Sequence, residues 1–117
     1  MGDYGVAVTW GDAKAGRDQK ALELWLDAVT QNEKAVADSR IERWDAVVFE
    51  PVGAPPAGAV RFYGTQEQID EWIRSTDFQE TILRGGLLLN NFGYRRFTTG
   101  DALADGFARF SQAVAAL

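Results

Sequence analysis

Arg61 and Tyr63 stand two residues apart in the segment Ala59-Val-Arg-Phe-Tyr-Gly64. In an extended chain that spacing puts both on one face. A guanidinium beside a phenol suits an anionic or phenolic ligand, with Arg pairing to oxygen and Tyr donating a proton. The same pair suits a structural role, in which Arg61 meets Asp45 or Glu50 across an interface between two copies. Asn90-Asn91, within the apolar stretch from Leu87 to Phe97, is a second feature. A buried amide needs partners. It can polarise a substrate carbonyl or hold oxygen-derived charge, or it can satisfy the backbone of a local bulge. Trp10, Trp44 and Trp72 are a third: they can line a cavity for a flat aromatic molecule, or serve as core and interface packing. These seven residues are the candidate ligand-binding set, and no catalytic residue is assigned.

The residues that are missing narrow the chemistry further. The chain has no Cys and no His. Thiolate nucleophiles, disulfides and thiolate metal sites are therefore impossible, and reducing, intracellular surroundings fit best. Imidazole bases, Ser-His-Asp triads, His-ligated haem and most zinc or copper sites are excluded as well. Asp101, Asp105, Glu67, Asp70 and Glu71 sit near helix starts or on solvated faces, where they complement helix dipoles. No metal site and no cofactor is expected. Gly85-Gly86 precedes a strand rather than a helix, so it is no phosphate loop.

The balance of charge excludes partners too. A net charge of -5 argues against a nucleic-acid surface, and no lysine follows Lys34. No basic stretch precedes an apolar run at the N-terminus, and no run reaches the ~18 apolar residues of a membrane span. A cytoplasmic protein without membrane or nucleic-acid partners is the expectation.

Positioning the candidates requires a scaffold. Tyr4–Trp10 is β-rich and ends at Gly11, which marks a first strand. From Asp18 to about Asp38 a helix is expected, with Leu22, Trp25, Leu26, Val29 and Val36 as its buried stripe and Trp25 in the core. A second strand spans Arg43–Glu50, the Pro/Gly segment 51–58 turns, and a third strand covers Ala59–Gly64. Thr65 with Gln68 forms a capping box that starts the next helix. Its buried face is Ile69, Trp72 and Ile73. A break near Ser75–Thr76 leads to a second piece that buries Phe78, Ile82 and Leu83. Gly85-Gly86 is read as its stop. Leu87–Phe97 is then a fourth strand with a bulge at the Asn pair. A last helix starts at Thr98–Asp101 and carries the stripe Leu103, Phe107, Phe110, Val114 and Leu117.

The resulting order is βαββαβ plus a final α, one domain over residues 1–117 and of the α+β class. Two strand–helix–strand halves joined by a hairpin give a four-stranded antiparallel sheet with its helices on one face, the ferredoxin-like arrangement. A parallel doubly wound sheet would need a helix where the Pro/Gly segment lies. The strands read as apolar on both sides: Tyr4, Val6, Val8 and Trp10 oppose the uncharged Gly5, Ala7 and Thr9. Val47 and Phe49 oppose Trp44, Ala46 and Val48, while Val60 and Phe62 oppose Ala59, Arg61 and Tyr63. Two helices cover one face only, so a second copy of the sheet is expected on the other.

Val60-Arg-Phe-Tyr-Gly-Thr-Gln-Glu-Gln-Ile-Asp-Glu-Trp72 and Ser75-Thr-Asp-Phe-Gln-Glu80 resemble the dimeric α/β-barrel superfamily. Its members commonly end the third strand on an aromatic, open the next helix at Ser/Thr-x-Glu, and break that helix at a short polar step. The resemblance covers most of residues 4–97 and implies a homodimer packed sheet to sheet through the open face. It includes cofactor-independent antibiotic-biosynthesis-type monooxygenases, muconolactone isomerase-like enzymes, haem enzymes and many proteins of unassigned function. The haem branch and the branch with a His-Asp pair use histidine, which this chain lacks; Thr76-Asp77-Phe78 stands where many members carry a histidine. The monooxygenase-like branch implies Asn, Trp, Tyr and Arg in its pocket. The reading is therefore an uncharacterised dimeric barrel protein that binds a hydrophobic or aromatic small molecule. The alternative is a cofactor-independent monooxygenase- or isomerase-like enzyme. A closed cavity on the order of several hundred Å³, lined by at least three of the named polar residues, would support either, and a filled interior would sink both.

Overall fold

The computed structural model describes residues 2–117; Met1 lies outside them. The chain runs β1 (Tyr4–Trp10), α1 (Asp18–Ala37), β2 (Arg43–Val48), β3 (Gly58–Gly64), α2 (Gln66–Arg74), α3 (Thr76–Leu88), β4 (Gly93–Thr98) and α4 (Gly100–Ala115). The strands form one antiparallel sheet in the order β2-β3-β1-β4. This is the expected ferredoxin-like sheet: β1 and β2 run in the same direction, and β3 is inserted between them.

The register decides which residues face the helices. Val6 pairs with Phe62, and Phe62 pairs with Trp44, so these three form one row across the sheet. Val8 and Val60 continue it, and α2 and α3 lay Ile69, Trp72, Ile73 and Phe78 on top. Phe62, Trp72 and Phe78 meet pairwise at ring-centroid distances of 5.5, 6.1 and 6.1 Å, all tilted or edge-on. Such geometry aligns a positive ring edge with a negative face and adds to the area that each ring buries.

Local signals set the α2–α3 corner as expected. The Thr65 hydroxyl accepts from the Gln68 N–H, and the Gln68 side chain accepts from the Thr65 N–H, closing the capping box. At the break, the Ser75 hydroxyl accepts from the Phe78 N–H and donates to the Trp72 carbonyl, so one side chain ends one helix and starts the next. Ser75 is the N-cap of α3.

Five expectations are corrected. Gly85-Gly86 does not stop α3, which continues to Leu88. Gly85 is there for close packing: the Phe92 ring occupies the space a Cβ would need, while Gly86 faces open space. The fourth strand consequently begins at Gly93, and Asn90-Asn91 forms an exposed turn rather than a bulge in a strand. Asn91 takes φ 53°, a left-handed conformation that asparagine tolerates. Leu83 is exposed on the outer side of α3. In α1 the inward residues are Leu24, Asn32 and Ala35, with Ala21 and Ala28 partly covered. Leu22 and Leu26 stay exposed, because α1 turns inward the flank that carries Leu24, Asn32 and Ala35. β2 also ends early, at Val48, and leaves Phe49 and Glu50 outside the ladder.

The last helix is the largest departure from a packed layer. No residue of α4 is buried. It is tied to the body at its start, where the Asp3 carboxylate accepts from the Ala102 N–H and the Asp3 carbonyl accepts from the Thr99 N–H. The radius of gyration, 16.1 Å, exceeds the about 13 Å of a compact chain of this length.

Candidate functional site

The two faces of the sheet offer different chemistry, and the seven candidates divide between them. On the open face, the register sets Gly5, Tyr63 and Arg43 in one row with Phe97, and Ala7, Arg61 and Asp45 in the next with Arg95. Arg61 Nε donates to Asp45 Oδ1 at 2.8 Å, and its Nη2 donates to Oδ2 at 3.0 Å. The pair is bidentate, the strongest form of this contact. The Tyr63 hydroxyl lies 3.5 Å from Asp45 Oδ2, at the outer limit of hydrogen bonding. The Arg43 guanidinium stacks 3.5 Å from the Tyr63 ring centroid and reaches within 3.7 Å of Asp45. Phe97 closes the row by folding over Gly5, whose missing side chain makes room, to meet Tyr63 edge-on at 5.3 Å.

This cluster fulfils the structural reading of Arg61, with one change. Its partner is Asp45 of the same chain on the neighbouring strand. The hydrogen bonds to Asp45 raise the Arg61 pKa above the ordinary guanidinium value, which keeps the guanidinium charged at every physiological pH. The expectation of two apolar faces holds for β1, and fails where Arg43, Asp45 and Arg95 arrive from the edge strands. The open face carries three arginines against one carboxylate, in a chain whose net charge is -5.

The helix side holds a half-open cavity of about 210 Å³ between the sheet, α1 and the end of α3. Trp10, Trp25, Leu24, Val60, Leu89 and Phe92 supply most of its wall. Trp10 and Trp25 meet at 6.3 Å with their planes tilted by 51°. Thr81 is its one hydroxyl, and that group is occupied: it donates to the Asp77 carbonyl at 3.0 Å and accepts from Gln31 Nε2 at 3.2 Å. The wall is therefore apolar, with no free hydroxyl.

Of the named candidates, only Trp10 reaches this cavity. Trp44 packs on the core from β2. Trp72 is 1% exposed, its indole N–H has no partner among the described residues, and Arg40 stacks on its ring at 4.9 Å. The Asn90 backbone joins the end of α3 to the loop after β1: its carbonyl accepts from the Gly11 N–H at 2.7 Å, and its N–H donates to the Asp12 carbonyl at 2.8 Å. Asn91 borders a separate cleft of about 420 Å³ beneath the Pro/Gly loop, with Gly11, Asp12 and residues 48–57. Arg61, Tyr63 and the Asn pair thus lie on separate surfaces, and none of them lines the apolar cavity. Sequence reasoning assigned Trp25 to the core and did not single out Leu24 or Phe92. The signal for that wall was the run Ala21, Leu24, Ala28, Asn32 and Ala35, at helical spacing but dominated by small residues.

No family model matches the chain, and no curated protein matches it. Solved structures do. A dimeric protein of unknown function and ferredoxin-like fold from Bacteroides fragilis superposes with a TM-score of 0.60 at 9% identity, over 84% of this chain and 97% of that one. A dimeric ferredoxin-like protein of unknown function from Thermobifida fusca gives 0.62 at 9% identity, over 84% and 92%. The fold is therefore ferredoxin-like, shared with proteins described as dimers without an assigned function. Among the described residues, no helix is long and apolar enough to cross a membrane.

Proposed function

We propose that this chain acts, as one domain, in a homodimer closed through the open face of its sheet, and that it binds a small hydrophobic or aromatic molecule under α1. The apolar cavity carries the binding reading. At about 210 Å³ it exceeds the ~150 Å³ in which an apolar protein cavity takes up benzene. Two indoles frame it, and its only hydroxyl is already paired. The expected ligand is accordingly one aromatic ring or a short branched hydrocarbon group. Arg61, Tyr63, Asn90 and Asn91 are too dispersed to act together on a molecule held there, so the enzymatic alternative gains no support from the geometry.

The dimer reading is supported by the open face itself. Gly5, Ala7, Thr9 and Ala59 make a shallow floor, and solved neighbours of the same fold are dimers. Titration with naphthalene, read by tryptophan emission, tests the cavity. Saturable quenching is expected in the wild type, together with its loss in Ala28→Leu, whose side chain fills the space. An unchanged response in Ala28→Leu rejects the site.

A further inference from the structure

The α4 stripe is an unpartnered apolar face. Leu103, Phe107, Phe110, Val114 and Leu117 are all exposed, the least of them, Leu103, at 42%. Their spacing is four, three, four and three residues. That is the a/d seam of a heptad pattern, narrower than the stripe of a helix that beds on a sheet. The positions flanking the seam are Ala104, Gly106, Ser111 and Ala113, all small and uncharged, so a second helix can approach closely without meeting charge. Asp105 and Gln112 fall on the opposite, outer side of the helix.

We infer that α4 pairs antiparallel with α4 of a second copy, with Phe110 on the two-fold axis. The seam is centred on Phe110. With Phe110 at the centre, antiparallel pairing brings Leu103 near the partner's Leu117 and Phe107 near the partner's Val114. A two-fold operator makes the same patch serve both copies, and it closes the assembly. The exposed area of the five side chains is on the order of 600 Å² a side, against the ~800 Å² per partner that stable interfaces bury. Two heptads are too short to dimerise alone. The pairing therefore rests on the dimer reading above and adds a second contact to it, continuous in the chain with β4, from which α4 starts.

The absence of cysteine makes the test clean. In Phe110→Cys any disulfide must join two copies, and mild oxidation is expected to link it at least tenfold faster than Leu103→Cys, whose thiols lie at opposite ends of the antiparallel pair. Phe110→Asp, at an exposed position, is expected to raise the dimer dissociation constant at least tenfold while circular dichroism stays unchanged. A wild-type dimer with equal linking rates, or with an unaffected Phe110→Asp dissociation constant, overturns the α4 pairing and leaves the sheet-face dimer standing. A monomeric wild type overturns both.

Discussion

The two faces of the sheet are built from the same strands, offset by one residue, and do opposite work. On the helix side, Val6, Phe62 and Phe78 are sealed, and their stabilisation comes from removing apolar area from water. On the open side, the side chains of Arg61 and Asp45 remain 39% and 35% exposed. An ion pair that wet contributes little on its own, because water screens it and two side chains must be ordered. The helix side holds the fold together; the open side is available for association. Covering it would turn a weak pair into a desolvated one, costly to break by removal of a single partner.

This contrast is broken or sharpened by substitution. Phe62→Ala removes the ring that touches both Trp72 and Phe78, and an expected loss of about 3–5 kcal/mol should appear in urea unfolding. A loss below about 1 kcal/mol would show that the helix-side face is not the core. Gly85→Ala forces a methyl into the Phe92 ring and is expected to cost about 1–3 kcal/mol. Its neighbour Gly86→Ala meets nothing and should stabilise by about 0.5–1 kcal/mol. Thermal melts of the two variants moving in the same direction would refute the packing role given to Gly85. Ser75→Ala deletes the shared cap between α2 and α3, with an expected loss of about 1 kcal/mol. Arg61→Met is the smallest effect on the isolated chain, up to about 1 kcal/mol by urea unfolding at high dilution. A loss there as large as that of Phe62→Ala would mean the open face is part of the folding core.

Much of the fold was legible because its signals are local. The Thr65–Gln68 box, the Ser75 break and the Pro/Gly connection each act within a few residues. The strand register of β1 and β3 follows from alternation. Three readings failed. Gly85 looked like a helix stop, yet its value lies in contact with Phe92, seven residues on. Leu24, Asn32 and Ala35 form the inner flank of α1, so Leu22 and Leu26 pointed outward against the apparent stripe. The Asn pair looked buried only because α3 was ended too early.

The candidate site was less legible. Arg61 with Asp45 was foreseeable from residue type, but their pairing within one chain required the β2–β3 register. The cavity is framed by residues from β1, α1, α3 and the segment before β4, so no contiguous motif could announce it. Trp10 was found because tryptophan is conspicuous. Leu24 and Phe92 were not, because apolar residues at helical or turn positions read as ordinary core.

The central claim is that the open face of the sheet is closed by a second copy. Sedimentation equilibrium at micromolar concentration, run on the wild type beside Ala7→Arg, tests it most directly, since Ala7 lies in the middle of that face. The account predicts a wild type at twice the 12.9 kDa chain mass and a variant shifted toward 12.9 kDa. A wild-type monomer, or an Ala7→Arg dimer as tight as the wild type, would contradict it.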